Sequence, residues 1–187
     1  EVADLDAQVA TLSAAMSDRD VNRYHRRIAE LKDPAGLEPR SGAGLTITLS
    51  DAPEDLINTT TGNINDLLVH QQDIQAVVNA LWQGGATAVT VAGQRIVSTT
   101  GIKCEGNAVQ LHGVPYPQPY VISAVGDQGD LLTAIEHDEY VGIYRQLSAD
   151  PDYALGWELT LEDSVTAPAY DGLLDLTFAV PLDQAGS

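Results

Sequence analysis

The stretch from Leu68 to Ile96 constrains the fold more than any other, because a helical period gives way there to a strand. Apolar side chains recur at helical spacing up to Gly84-Gly85, a pair that is typical of a helix C-terminus. The residues that follow, "ATAVTVAG", have the composition of a buried strand. The same stretch holds His70 and Arg95, so it is also the first place to look for a functional site.

One face of this helix is apolar when the residues are placed on a helical wheel. That face holds Leu67, His70, Ile74, Val77, Val78 and Leu81, and the opposite face holds Asp73, Gln75 and Asn79. The spacing predicts a helix that begins near Asn65 and docks on a sheet. His70 is then predicted to pack in the docking face.

Further strands and one more helical region follow from the alternation along the rest of the chain. "LTITL", "PYVISAVGD" and "YALGWELTL" are typical of strands, and "IKCEGNAVQLHG" of a hairpin that turns at residues 105–107. "QGDLLTAIEHDEYVGIYRQLS" is helical in two phases, which a break at His137-Asp138 reconciles. "LLDLTFAV" predicts an extra final strand, and "SDAPEDLINTTTGNIN" a long polar loop.

This order of elements predicts an α+β fold: a ferredoxin-like antiparallel sheet with two helices on one face. The alternative is a Rossmann-type parallel sheet, but it needs more helical crossovers than the chain supplies.

The first 33 residues carry the apolar spacing of a coiled coil. Its seam comprises Leu5, Val9, Leu12 and Met16 and then, after a slip of phase, Val21, Tyr24, Ile28 and Leu31. A helix over residues 2–33 would reach roughly 48 Å. We interpret residues 1–33 as a coiled-coil stalk, 34–43 as a linker and 44–187 as a globular domain. The alternative is an amphipathic helix that folds back on its own domain.

The charge distribution excludes some classes of partner. Residues 1–40 have six basic and eight acidic residues, so the rest of the chain carries −16 of the net −18. After residue 41 the basic residues are Arg95, Lys103 and Arg145. Such a surface repels phosphate backbones and anionic headgroups, so nucleic acid is excluded as a partner. The single cysteine, Cys104, allows no intramolecular disulfide, and its alternation with Ile102 predicts a small core residue.

Two groups of residues suggest ligand chemistry. Arg95 is either a ligand for an anion or carboxylate at the end of a strand, or a structural ion pair with one of the many acids. In "AVGDQGDLL", Asp127 and Asp130 suit a helix N-terminus rather than a phosphate site. The sequence therefore predicts no cofactor.

The groups of residues that could support catalysis or bind a metal give weaker signals than Arg95 does. Glu136, His137, Asp138 and Glu139 are the densest cluster of metal ligands, but consecutive helical positions point in different directions, so we predict no metal site. Ser98 with His70 and Asp73, or Cys104 with His112, could supply a nucleophile and a base, yet no nucleophile elbow is present. His112 and His25 are predicted at the surface. The chain is predicted not to be an enzyme.

Four blocks of the sequence, in order, resemble a known family. They are "GAGLTITLSDA", "VHQQDIQAVVNALWQGGATAVTVAGQRI", "TGIKCEGNAVQLHG" and "PYVISAVGD". Together they resemble the bacterial domain-of-unknown-function family 881, related to the Ylx-type envelope proteins. The alanine-rich, acidic composition looks like that of an actinobacterial member. The positions that match its motifs are Asn79, Gly85, Arg95, Cys104, Gly106, Gly126 and Asp127.

The resemblance implies a short cytoplasmic tail, one transmembrane helix, a coiled-coil segment and this domain outside the membrane. On that basis the chain, which begins at Glu1, is expected to be a fragment that lacks the transmembrane helix. We expect a non-enzymatic envelope protein on the extracytoplasmic face of the membrane that binds envelope or division proteins, with a link to cell division or sporulation. A homo-oligomer through residues 1–33 is also expected. The alternative is a ligand-binding or hydrolytic domain for a small molecule or wall component, with Arg95 and His70 in one pocket.

Overall fold

The computed structural model of this protein describes residues 6–11 and 19–172. Its helices are α1 (Arg19–Lys32), α2 (Glu54–Thr59), α3 (Gln71–Gln83), α4 (Gln128–His137) and α5 (Glu139–Ala149), with a 3-10 helix at Ile64–Leu67. Its strands are β1 (Arg40–Ser50), β2 (Ala88–Val91), β3 (Gln94–Ile96), β4 (Ile102–Glu105), β5 (Ala108–Leu111), β6 (Val114–Pro117), β7 (Tyr120–Val125) and β8 (Gly156–Ala167). The predicted strand "LLDLTFAV" lies outside the described residues.

Five strands form the central sheet in the order β3-β2-β7-β1-β8, and every neighbouring pair is antiparallel. The mixed helix and antiparallel-sheet architecture confirms the predicted α+β class, and the parallel alternative is wrong. A second sheet, β4-β5-β6, separates β3 from β7 along the chain. It contains the predicted hairpin plus a third strand that the alternation did not indicate.

One face of the central sheet packs against α3, α4 and α5. On β1 the alternating residues Leu45, Ile47 and Leu49 are fully buried, and Ile47 lies opposite Ile122 of β7. Ile74, Val77, Val78 and Leu81 of α3 join the same core, as the helical wheel predicted. Each fully buried Leu or Ile side chain contributes about 1.5–3 kcal/mol, so this face supplies most of the stabilisation.

The opposite face of the sheet is polar over its middle. The hydroxyls of Thr46 on β1 and Ser123 on β7 lie 2.9 Å apart, and neither side chain is fully buried. Val121 on the same face is 39% exposed. Between Gly42 and Gly44 of β1 the register shifts because β8 carries one extra residue, and this bulge bends β8 at one end of this face. There the sheet closes over a small second core, formed by Ala88, Val125, Val165 and Ala167.

The N-terminal helices differ from the predicted single helix over residues 2–33. Lys32 Nζ at the end of α1 lies 3.3 Å from Asp6 Oδ2, in the helical segment 6–11. An unbroken helix would separate these residues by about 39 Å. The two described segments are therefore not parts of one straight helix. On α1 the predicted seam is exposed, with Tyr24 at 59%, Ile28 at 51% and Leu31 at 57%.

One other local prediction needs correction. The polar segment after β1 contains α2 and the 3-10 helix rather than a loop, because Leu67 is buried and its carbonyl accepts a hydrogen bond from Ala52 N. α2 has no buried residue, so hydrophobic periodicity gave no signal for it.

In the described part of the chain, none of the helices combines the length and the apolar character that crossing a bilayer requires.

Candidate functional site

The site with the most unusual chemistry is built around Arg95, which lies on β3 opposite Thr90. Its side chain is on the polar face of the sheet and is only 4% exposed. Nη1 donates to Glu38 O at 3.2 Å and to Pro168 O at 3.1 Å. The guanidinium thus joins the segment that enters β1 to the segment that leaves β8.

Among the described residues, no acidic side chain forms an ion pair with Arg95. The nearby carboxylate, Asp33, is held by Arg40 instead, whose Nε donates to Asp33 Oδ1 at 2.8 Å and whose Nη2 donates to Oδ2. This hydrogen bonding lowers the pKa of Asp33 and raises that of Arg40. Burial and the neighbouring Arg40 charge lower the pKa of Arg95, although a guanidinium stays charged in a protein.

One edge of the Arg95 guanidinium has no hydrogen-bond partner in the part of the chain that the structure describes. Nε on this edge is buried, and neither Nε nor Nη2 donates to a described residue. Gly36 lies against this edge with a φ of 77°, a conformation that favours glycine. A Cβ at Gly36 would lie 2.8 Å from Val97 Cγ1 and 3.6 Å from both Nε and Nη2. A side chain in place of Gly36 would therefore crowd Val97 and the edge of the guanidinium.

A cleft of about 460 Å³ adjoins this arginine. Trp82, Ile96 and Val97 give it apolar walls, and Trp82 is 38% exposed. Arg40 and Asp33 line it as a mutually neutralised pair. Such a cavity combines apolar surface with one uncompensated positive charge. Trp82, Gly36 and Arg40 were not singled out from the sequence, since three separate segments of the chain meet here.

His70 lies at a different place from the one predicted. It is the N-cap of α3, which begins at Gln71, and its backbone is extended. Its ring Nδ1 is 2.8 Å from Leu68 O, and its backbone N donates to Asp73 Oδ2 at 2.7 Å, as part of a capping box. His70 is therefore half-buried at the helix end rather than packed in the apolar face. The prediction failed because the 3-10 helix stops at Leu67, so the helical phase starts afresh.

A second cavity, of about 220 Å³, lies beside this cap and is lined by His70, Asp73, Tyr140 and Tyr144. Burial raises the pKa of Asp73, and the hydrogen bond from His70 N partly offsets this. Burial and the Asp73 charge raise the pKa of Tyr140. Arg95 lines the 460 Å³ cleft and His70 does not, so the shared pocket of the alternative hypothesis is not formed.

The proposed nucleophiles and bases are not assembled. Ser98 lines the Arg95 cleft, away from the cavity of His70 and Asp73. Cys104 is exposed rather than in the core, and it exchanges hydrogen bonds with Gln71: Gln71 N donates to Sγ, and Cys104 N donates to Gln71 Oε1. His112 is exposed, as predicted, and packs edge-on against Tyr170.

Most of the motif positions hold the backbone in shape. Gly85 and Gly106 have positive φ at turns, Gly126 packs closely on Leu131, and Asp127 caps α4 through bonds from Gly129 N and Asp130 N. Asn79 is exposed on α3. Of the motif positions, Arg95 is the one that combines burial with an unsatisfied donor.

The acidic cluster at residues 136–139 forms the junction between α4 and α5. Asp138 ends one helix and caps the next, accepting from Val141 N at 2.9 Å. The ring Nδ1 of His137 lies 2.8 Å from Thr133 O, and Glu136 and Glu139 are exposed. Across residues 6–11 and 19–172, no three His, Cys, Asp or Glu side chains are grouped so that they could hold a metal ion.

Comparisons with known proteins identify the family of this chain. A family model described as "Bacterial protein of unknown function (DUF881)" matches residues 27–180. The chain belongs to the DUF881 family. Among its relatives, UPF0749 protein YlxW of Bacillus subtilis is 37% identical over 134 residues, which cover 70% of this chain and 52% of the relative. A UPF0749 protein of Mycobacterium tuberculosis is 30% identical over 156 residues, covering 81% and 50%.

The DUF881 chain thus spans about half the length of the curated relatives it matches. A crystal structure of an uncharacterised conserved protein from Mycobacterium tuberculosis has a TM-score of 0.59 and 21% identity, covering 83% of this chain and 99% of that one. At that identity the likeness concerns the fold alone. The family resemblance read from the four sequence blocks is therefore confirmed.

Proposed function

We propose that this DUF881 chain is a non-enzymatic interaction module of the bacterial cell envelope. The observation that carries the proposal is the apolar stripe on α1, formed by Tyr24, Ile28 and Leu31, each more than half exposed. Spacings of four and three residues place these side chains on one helical face, the arrangement of a helix that docks on a partner. Solvated helices rarely expose three large apolar residues in one stripe.

The occupant that we propose for the α1 stripe is a second copy of this chain. α1 contains five basic and two acidic residues in a chain of net charge −18, so it is attracted to the acidic domain of another copy. Homo-oligomerisation through residues 1–33 would leave the polar face of the central sheet available to envelope or division proteins. That face includes Thr46, Ser123 and the 39%-exposed Val121.

The finer architecture and the location belong to the same proposal. We infer a ferredoxin-like core, because β2, β7, β1 and β8 follow one another across the antiparallel sheet. α3 connects β1 to β2, α4–α5 connects β7 to β8, and each of these connections passes over one intervening strand. The family resemblance supports a single transmembrane anchor in the full-length protein and a position on the extracytoplasmic face. A role in cell division or sporulation follows from that resemblance.

The arrangement of reactive groups supports a function without catalysis. Ser98 and His70 line separate cavities, and no hydrogen bond links Cys104 to a histidine within the described ranges. A nucleophilic mechanism needs the nucleophile and its base within hydrogen-bonding distance. The alternative of a ligand-binding domain draws support from Arg95 alone.

The oligomeric state tests the α1 stripe. We expect the chain to elute as an oligomer in size-exclusion chromatography with light scattering, and Ile28→Glu to elute as a monomer. Asn22→Glu adds the same charge to an exposed position on the opposite side of α1 and should leave the oligomer intact. A monomeric parent chain, or equal effects of both substitutions, would refute homo-oligomerisation.

Crosslinking tests the partner. The full-length membrane form should be crosslinked and recovered in its native host, beside a variant with Thr46 and Ser123 both replaced by lysine. We expect division or wall-synthesis proteins with the parent and their loss with the variant. Recovery of neither class would contradict the envelope role, whereas the oligomer test would stand.

A further inference from the structure

The two arginines beside the cleft offer a direct internal comparison. Arg40 uses Nε and Nη2, one edge of its guanidinium, to hold the carboxylate of Asp33 in a bidentate pair. The same edge of Arg95 binds none of the residues within 6–11 and 19–172, while Nη1 is fixed by two backbone carbonyls. The parallel N–H groups of that edge match the two oxygens of a carboxylate. We propose that Arg95 binds the carboxylate of a small organic acid in the adjoining cleft.

The charge balance limits the ligand to a monoanion. A buried charge without a counter-ion is costly, and Arg95 is 4% exposed with no described carboxylate in an ion pair with it. The other cation of the cleft, Arg40, is already neutralised by Asp33. One positive charge is thus not compensated by any ion pair of the described residues. A doubly charged phosphate would add a net negative charge inside a chain of −18, so a carboxylate fits better.

The walls of the cleft indicate what the rest of the ligand is. Trp82, Ile96 and Val97 present an aromatic ring and aliphatic side chains, and the volume is about 460 Å³. Small-molecule sites of this size are mostly apolar with a few fixed polar groups. The exposed indole of Trp82 suits a flat or aliphatic body. The ligand class is therefore a monocarboxylic acid with an apolar body.

This site is independent of the proposed interaction function. It uses β3, the end of α3 and the residues between α1 and β1, whereas the α1 stripe lies on Tyr24, Ile28 and Leu31. Access to Nε requires the Gly36 turn to move slightly, because that atom is screened from water. The glycine, with its positive φ and no side chain, is the residue that permits such a movement.

The test is a titration of the full chain followed by ¹H–¹⁵N NMR. The probes are 3-phenylpropanoate, the uncharged 3-phenylpropan-1-ol and inorganic phosphate, and the reporters are the Arg95 Nε–H and the Trp82 indole N–H. We expect saturable shifts of both signals with the acid. The alcohol, which lacks the charge-assisted hydrogen bonds, should bind at least about tenfold more weakly, and phosphate should bind more weakly than the acid.

Variants separate the site from general charge effects. Arg95→Gln should weaken binding of the acid by about tenfold or more, whereas Arg145→Gln, an equal charge change at an exposed residue outside the cleft, should not. Ala35→Phe fills the cleft from its rim without altering Arg95, so it should abolish binding even if Arg95→Gln fails to fold. Equal binding of acid and alcohol, tighter binding of phosphate, or unchanged binding by Ala35→Phe would overturn the proposal.

Discussion

Gly44 is the residue at which the sheet leaves least room. A Cβ there would lie 1.8 Å from Ala124 O and 2.9 Å from its carbonyl carbon, so β1 and β7 would have to separate. We expect Gly44→Ala to reduce the free energy of unfolding by about 3 kcal/mol or more. Gly142, inside α5, has no atom within 4 Å of a Cβ, so Gly142→Ala should stabilise by about 0.5–1 kcal/mol. Urea denaturation measures both, and a milder effect at Gly44 than at Gly142 would contradict the strand spacing.

Asp73 gives the protein a predictable dependence on pH. Burial raises its pKa above the ordinary value of 3.8, so the folded state binds a proton at a higher pH than the unfolded state. The protonated Asp73 therefore adds to the free energy of unfolding. This stabilisation is fully present below pH 3.8 and is lost as the pH rises through the pKa of Asp73 in the folded state. Relative to Asp73→Asn, the parent chain should gain stability as the pH falls from 7 towards 3.5, as measured by urea denaturation at each pH.

Asp33 is the control for this dependence, because its pKa is lowered by the hydrogen bond from Arg40. The ionised Asp33 stabilises the folded state. This stabilisation is present above the pKa of the unfolded state and is lost as the pH falls through the pKa of the folded state. Relative to Asp33→Asn, the parent chain should lose stability over the same range. Differences of the same sign for the two variants would contradict these environments.

Cys104 should react as an exposed thiol. It lies on β4 at the surface, joined to Gln71 by hydrogen bonds but not enclosed. We expect a thiol reagent such as 5,5′-dithiobis(2-nitrobenzoate) to label the native chain at one site without denaturant, and Cys104→Ser to abolish the signal. Labelling that occurred only after unfolding would restore the core position expected from the sequence.

At the scale of elements, one side chain separates α4 from α5. Asp138 ends the first helix and caps the second through Val141 N. Asp138→Ala should lower the free energy of unfolding by about 1 kcal/mol, the usual effect of losing an N-cap. The neighbouring exposed Glu136→Ala makes no cap and should change it by less than about 0.5 kcal/mol. Thermal denaturation followed by circular dichroism tests both variants. Equal shifts of the melting temperature would indicate that the loss of negative charge, rather than the loss of the cap, causes the effect.

Helices and strands were predicted correctly where burial imposes a regular spacing of apolar residues. The apolar face of α3 from Ile74 to Leu81, the hairpin turn at Gly106, and the break at His137-Asp138 are all confirmed. The prediction failed where no such spacing exists. α2 buries nothing, and the 3-10 helix before His70 resets the helical phase, so a wheel drawn through both placed His70 in the core face.

The candidate site was only partly predictable. Arg95 stands out in sequence because basic residues are rare after residue 41, and the structure assigns it a buried environment. Its surroundings could not be predicted, because Glu38 and Pro168 reach it from segments 57 and 73 positions away. Arg40 pairs with Asp33 and so removes the nearby counter-ion, but Arg40 lay in the predicted linker and Asp33 was the last residue of the predicted stalk.

For the whole molecule, the net charge of −18 sets a self-repulsion that salt can screen. Raising sodium chloride from about 10 mM to about 0.5 M shortens the Debye length from about 30 Å to below 8 Å. We therefore expect a rise of a few degrees in the melting temperature by differential scanning calorimetry. Sucrose at matched osmolality controls for solvent exclusion, and a fall in melting temperature with salt would show that ion pairs such as Arg40–Asp33 outweigh the repulsion.

The clasp that Arg95 makes on Glu38 O and Pro168 O has a mechanical consequence. The chain enters β1 and leaves β8 at the same end of an antiparallel pair, where Arg40 lies opposite Ala167. A load that pulls these two points apart first acts on the hydrogen bonds of the guanidinium. It then acts on the hydrogen bonds between β1 and β8 one pair after another. We therefore expect the domain to yield at low force in that direction, and we expect a ligand bound to the free edge of Arg95 to stiffen the point at which it starts to open.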